Sequence, residues 1–305
     1  MSYFITGGTG FIGRHLIQKL LARPGTIHVL VRKSSKDKFD ALLAQMGFDP
    51  KRVVAVYGDL GKPRLGLSPT QVKQLAGKVK HLFHLAAIYD LTADEESQIR
   101  ANVDGTKHAM QLGVAVCFHH VSSIAAAGLY PGVFKEDMFD EAEGPDDPYF
   151  RTKHDSEGMV RREYPRPYRI YRPAIVLGHS QTGEIDKIDG PYYFFRLIKR
   201  MRALLPQWVP TIGIEGSRLN MVPVDYVADA MDWIAHKPGL DGHCFHLTDP
   251  APQRVGEALN TFARAANAPQ MTMRVDARMF AFVPPMVRGA IFNLPPVKRF
   301  TNMML

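Results

Sequence analysis

A tyrosine and a lysine stand four positions apart in DDPYFRTKHDSE (146–157), Tyr149 and Lys153. A free phenol titrates near pKa 10 and is a poor acid at neutral pH. An ammonium one helical turn away favours the phenolate, draws that pKa down and makes the phenol a usable proton donor. The chain has 11 tyrosines among its 305 residues, so a bare pair of this kind is a frequent accident. Its meaning depends on what positions it. Upstream, VSSIAAAG (121–128) offers serine hydroxyls at the end of an apolar run, the kind of group that can donate a hydrogen bond to a developing oxyanion.

The elements that would hold these groups alternate. SYFIT (2–6), IHVLV (27–31), RVVAVYGD (52–59), HLFHLAA (81–87), VAVCFHHVSS (114–123) and YRIYRPAIVLG (168–178) read as strands. FIGRHLIQKLLA (11–22), DKFDALLAQM (37–46), PTQVKQLA (69–76) and a long segment from about 94 to 111 read as helices. Such alternation implies βαβ units and an α/β fold, a Rossmann-type doubly wound parallel sheet whose ligand-binding loops gather at the strands' C-terminal ends. Asp147, with Pro148 in a favoured first-turn position, opens the helix that places Tyr149 and Lys153 on one face. After Gly178 the rhythm fails, and only NMVPVDYVADAMDWIAH (220–236) returns to strand-then-helix. Residues 1–181 with 221–247 are therefore expected to form the nucleotide-binding domain, and 182–220 with 248–305 a smaller substrate lobe.

TGGTGFIG (6–13) lies between the first strand and the first helix. Gly7 suits a tight turn, Gly10 a close backbone approach to a pyrophosphate, and Gly13 close helix–strand packing. The helix N-terminus beyond offers N–H groups and partial positive charge to phosphate, so Thr9, Phe11 and Ile12 join the glycines as expected cofactor contacts. Where an NAD site expects an acid on the ribose, this chain reads VLVRKSS (29–35), with Arg32 and Lys33. Cations there favour a 2′-phosphate, hence NADPH.

Bulk properties exclude several classes. With 46% hydrophobic and 22% charged residues, a full core is available and the chain reads as globular; two cysteines without a disulfide framework make it read as cytoplasmic. Met1 runs almost directly into strand and glycine loop, so no secretory leader is expected, and the greasiest stretch, FAFVPPMVRGAIFNLPPV (280–297), is broken by four prolines and an arginine. Cys117 and Cys244 form no disulfide framework or metal spacing; no metal is expected, and one of His119 and His120 should point into the core, with His84 likewise structural. The net charge of +8 suggests anionic partners, but no nucleic-acid motif accompanies it.

The GxxGxxG spacing resembles the short-chain dehydrogenases/reductases of the extended type. RPAIVLG (172–178), NVDGT (102–106) and NMVPVDYVA (220–228) match that pattern in order. The resemblance implies an adenine-contacting acid at Asp59 with Leu60 beside it, and a small-residue cofactor floor at Ala86 and Ala87. It implies further cofactor contacts at Pro173 and Ala174, and a catalytic set of Ser123 (rather than Ser122), Tyr149 and Lys153, with Lys153 also holding ribose hydroxyls.

Longer stretches are similar to bacterial fatty acyl-CoA reductases that form aldehydes or alcohols: TGGTGFIGRHLIQKLLAR, HLFHLAAIYDLTADEE, HHVSSIAAAGLY, PYFRTKHDSE, IDGPYYFFRLIKR and LPQWVPTIGIEG. The implied reaction is NADPH-dependent reduction of a fatty acyl-CoA or acyl carrier protein thioester to the aldehyde, and onward to the alcohol. Those reductases continue into a second half beyond the point where TNMML ends this sequence, which leaves the full four-electron reduction open. GPYYFFRLIKRMRALLPQWVP (190–210) mixes aromatics with cations. It suits an acyl chain beside phosphates or an acidic carrier, a solvated lobe helix, or a peripheral membrane contact. Other readings are a hydroxysteroid- or dihydroflavonol-type ketoreductase, a nucleotide-sugar epimerase, and a non-catalytic NADP(H) sensor.

Overall fold

Short β-branched and aromatic runs separated by helices of amphipathic spacing build the molecule. A computed structural model describes residues 2–88, 93–144, 147–186, 188, 190–215 and 218–276. The strands are β1 (Ser2–Thr6), β2 (Thr26–Val31), β3 (Val53–Tyr57), β4 (Val79–His84), β5 (Cys117–Val121), β6 (Tyr168–Pro173), β7 (Ile175–Leu177), β8 (Thr211–Glu215), β9 (Arg218–Leu219), β10 (Met221–Pro223), β11 (Cys244–Leu247), β12 (Gln253–Arg254) and β13 (Met271–Asp276). The α-helices are α1 (Phe11–Leu20), α2 (Lys36–Met46), α3 (Pro69–Leu75), α4 (Glu95–Gln98), α5 (Gly105–Leu112), α6 (Pro148–Glu163), α7 (Phe194–Leu204), α8 (Val224–His236) and α9 (Val255–Ala265).

Seven strands form one sheet in the order β11-β6-β5-β4-β1-β2-β3, and every pairing in it is parallel. This is a Rossmann-like α/β fold. The strand order reverses between β1 and β4, so a crevice opens beyond their C-terminal ends, where such sheets take ligands. Tyr3, Ile5, Phe83, Val121 and Tyr171 face one core layer with Leu16, Val227 and Met231 of α1 and α8. Phe4, Leu82, Phe118 and Ile170 face the other, with Ala109, Leu112 and Val160 of α5 and α6.

Three local readings change. β11 is a seventh strand that a six-strand reading of the sequence omits; CFHL is too short and mixed to announce itself. YRIYRPAIVLG is two strands, because Pro173 has no N–H with which to continue the ladder, and β7 pairs with β10 outside the main sheet. His119 and His120 are both buried on opposite faces of β5, not one of them alone; the central strand has no solvent side. Between α4 and α5 the helix passes through a π-helical stretch, Ile99–Asp104.

The chain divides into two compact units, Met1–Glu184 with Val222–Thr248 and Ile185–Met221 with Asp249–Leu305. In the second unit Tyr192 and Phe195 pack on Phe262 of α9, and Asn260 exchanges two hydrogen bonds with the Met271 backbone. The expectation placed on 280–297 lies outside the described residues. Among the described residues, no helix is long and apolar enough to cross a membrane.

Candidate active site

The glycine loop leaves β1 at the switch point. Gly7 has φ +73°, and a Cβ there would stand 2.6 Å from the backbone N of Ala86. The loop therefore rests backbone against backbone on the end of β4, and only glycine fits. A Cβ on Gly13 would meet the Gly7 carbonyl at 2.3 Å, so α1 packs equally close. Gly10 is exposed, donates to Gly7 O at 3.0 Å and supplies α1 with no side-chain cap, and the first turn holds no acid. The positive end of α1 is thus left to whatever anion reaches it. Thr9, Phe11 and Ile12 lie half-buried around that end.

The other expected cofactor residues sit at neighbouring strand ends. Arg32 and Lys33 follow β2 and are exposed. After β3, Asp59 Oδ1 accepts from Gly61 N at 2.9 Å. The Leu60 carbonyl accepts from His108 Nδ1 at 2.8 Å, and the Leu60 side chain lies against the start of α5 at Gly105. Ala86 and Ala87 follow β4 half-buried, while Pro173 and Ala174 end β6 buried. All share the C-terminal edge of the sheet.

The tyrosine helix is built as its sequence dictates. Asp147 caps α6 by accepting from Tyr149 N at 2.8 Å, with Pro148 in the first turn. One turn beyond partly exposed Tyr149, Lys153 is buried and donates from Nζ to the Val121 carbonyl at the end of β5, 3.1 Å away. Burial lowers its pKa to about 8, opposed by the Glu157 carboxylate. Ser123 lies two residues past β5, half-buried, its Oγ accepting from Ala125 N at 3.1 Å. His154 Nδ1 lies 3.0 Å from the Ala126 carbonyl and pins α6 to that serine turn. Ser123 and Lys153 thus converge on one strand end, with Tyr149 on the same helix face. Ser122 is buried.

Three further groups support the site: Asn102 from the NVDGT stretch, His84 in the structural role expected of it, and a buried ion pair that no motif announced. Asn102 sits in the π-helical stretch; it accepts from Ile88 N at 2.8 Å and donates to Ile88 O and Thr152 Oγ1 at 3.0 Å each. It ties the loop after β4 to α6 beside Lys153. His84 bridges Thr6 Oγ1 (2.7 Å) and Thr106 Oγ1 (3.0 Å), and burial holds it well below the usual histidine pKa and neutral. Glu157 and Arg172, both with fully buried side chains, form a two-point ion pair at 2.7 and 3.0 Å. Burial pushes the Glu157 carboxyl up, and the Arg172 guanidinium more than reverses this, leaving it below the ordinary range. Glu157 continues the Tyr149–Lys153 line by another four residues, the one signal in the sequence that could have pointed to it.

The residues fit a nicotinamide dinucleotide: an uncapped helix end, a loop that tolerates no side chain, and cations after β2. Among the described residues, no cluster of three or more His, Cys, Asp or Glu could hold a metal ion. Burial pushes the Cys117 and Cys244 thiols up to about 12, so neither is a ready nucleophile.

Comparison with known proteins supplies a family. The family model described as "Male sterility protein", one of the NAD-binding families, matches residues 5–231. A Cladobotryum protein described as non-canonical nonribosomal peptide synthetase FrzA is 30% identical over 87% of this chain and 28% of its own length. The aldehyde reductase lnbA of Aspergillus flavus is 30% identical over 81% of this chain and 26% of its own. The chain thus spans about a quarter of these curated relatives. The solved terminal R domain from the myxalamid PKS-NRPS biosynthetic pathway superposes with TM-score 0.78 and 26% identity, covering 99% of this chain and 79% of that one.

Proposed function

The chain belongs to the Male sterility protein family of NAD-binding proteins, and from that premise we propose that it reduces an acyl thioester to an aldehyde with a nicotinamide cofactor. The observation that carries the reading is the buried Lys153, held on the end of β5 between the Ser123 turn and Tyr149. That is an acid–base centre, which a cofactor sensor does not need. The relatives' names support the chemistry: one is called an aldehyde reductase, and the solved neighbour is a terminal R domain.

In this reading, the loop from Gly7 to Gly13 and the N-terminus of α1 hold the pyrophosphate. Asp59, Leu60, Ala86, Ala87, Pro173 and Ala174 line the cofactor's path. Arg32 and Lys33 meet a 2′-phosphate, which selects NADPH over NADH. When bound, the cofactor supplies hydride to the acyl carbon. Ser123 and Tyr149 donate hydrogen bonds to the acyl oxygen as it becomes an oxyanion, and Tyr149 supplies its proton. Lys153, cationic below about pH 8, favours the phenolate left behind and holds the ribose. Collapse of the hemithioacetal breaks the C–S bond and releases thiol and aldehyde; a second round on the aldehyde gives the alcohol. The first unit then acts as the nucleotide-binding domain and the second as the substrate lobe.

The acyl group is proposed to be a long fatty chain, on the resemblance to acyl-CoA reductases, and the thiol coenzyme A or a carrier protein. NADPH oxidation with palmitoyl-CoA, read together with free thiol, tests this. One thiol per NADP⁺ is expected where the aldehyde is the product, and one thiol per two NADP⁺ where the second round carries it to the alcohol. Turnover of a ketosteroid without thiol release would assign the site to a ketoreductase instead.

A further inference from the structure

α7 reads FFRLIKRMRAL and contains no acid. Arg196, Lys199, Arg200 and Ala203 recur at helical spacing and form one exposed stripe, with Arg202 exposed beside it. None of these four cations has an ion-pair partner among the described residues, unlike Arg14, Lys19, Arg23, Arg151, Arg169 and Arg172, which are all paired. The stripe ends in an apolar border: Leu204 is 79% and Trp208 81% exposed.

Resting on the thioester reading above, we propose that this face of α7, with Leu204 and Trp208, docks an acidic carrier domain that presents its acyl group on a phosphopantetheine arm. Unpaired like charges on one helix face repel one another and steer an oppositely charged surface, and an exposed tryptophan beside them is the type of residue that anchors protein interfaces. The stripe spans about 10 Å of helix at 1.5 Å per residue, wider than one phosphate group requires. A bilayer is the poorer occupant. An interfacial helix gives its apolar face to lipid, whereas α7 buries Phe194 and Ile198 and packs Phe195 on Tyr192 and Phe262.

The test is direct binding of a fluorescently labelled holo-acyl carrier protein, read by anisotropy at low and high salt. Arg196→Glu/Arg200→Glu is expected to weaken binding at least tenfold, Trp208→Ala several-fold, and added salt to erase most of the charge effect. The same variants should reduce an N-acetylcysteamine thioester, which has no carrier, at wild-type rates. Absence of carrier binding by the wild type would overturn the proposal. So would unchanged binding in the charge-reversed variant, or its loss only of sedimentation with phosphatidylglycerol vesicles. Because binding is read without turnover, carrier binding with no reduction of either thioester would refute the reductase reading and leave the docking face standing.

Discussion

Replacing Lys153 by methionine should abolish turnover and yet stabilise the protein at neutral pH. Its folded pKa of about 8 against an ordinary 10.5 means that burial disfavours the ammonium by roughly 3 kcal/mol, at 1.36 kcal/mol per unit. Methionine has similar length and no charge, but it leaves the Val121 carbonyl without its donor, a loss of about 1–2 kcal/mol. The net expectation at pH 7 is stabilisation by about 1–2 kcal/mol. The sign with pH follows from linkage. A lysine with a lowered folded pKa binds fewer protons folded than unfolded between pH 8 and 10.5, so wild-type stability rises across that window while the variant's does not. The balance between Lys153→Met and wild type should therefore move by about 2–3 kcal/mol towards the wild type between pH 7 and pH 10, cancelling or reversing the variant's advantage. Urea unfolding of both proteins at the two pH values, with NADPH turnover measured in parallel, provides the assay. A stability difference that does not change with pH would refute the buried, charged lysine.

Other consequences follow from single contacts. Arg32→Ala with Lys33→Ala should raise KM for NADPH by about 10–100-fold and leave KM for NADH unchanged; equal effects on both would make the pair a solvated turn. Glu157→Gln leaves Arg172 buried without its counter-charge and should destabilise the fold by about 3–5 kcal/mol, measured as a fall in the urea midpoint; a loss under 1 kcal/mol would show Arg172 to be held by the Met138 and Lys135 carbonyls instead. Burial holds His81 near pKa 4 and His120 near 3, so both are neutral when folded and take up protons when unfolded. Stability should be level between about pH 7 and 8 and fall on acidification towards pH 4, by about 2 kcal/mol at pH 5 from His81 alone, with Tm against pH as the readout and a flat profile below pH 7 as the contrary result.

The sheet and its loops were legible because strand runs and helical periodicity are local. SYFIT followed by TGGTGFIG announces both a strand end and a loop free of side chains. β11 was not legible, since four residues pair with β6 only once α8 has carried the chain back across the sheet. The break at Pro173 was visible in the sequence but its result, β7 leaving to pair with β10, depends on where Met221–Pro223 arrives. At the site, the Tyr149–Lys153 pair is a spacing and could be read from α6 alone. The hydrogen bond from Lys153 to Val121, the Asn102 bridge to Ile88 and Thr152, and the Glu157–Arg172 pair join residues far apart in the chain. Their meeting depends on the fold. The aromatics at 192–195 left an acyl-chain surface and a plain lobe helix both open; Tyr192 and Phe195 pack with Phe262, a long-range contact that a small unit uses as core and that spacing alone does not show.

The role proposed for Tyr149 is to protonate the acyl oxygen during hydride transfer to a thioester. Incubation of the protein with palmitoyl-CoA and 4-deuterated NADPH, followed by mass spectrometry of the products and a thiol count, tests it most directly. Deuterium on C1 of the aldehyde or alcohol, one thiol per molecule of product, and loss of nearly all turnover in Tyr149→Phe are expected. Deuterated product at the wild-type rate from Tyr149→Phe, or NADPH oxidation with the thioester left intact, would contradict it.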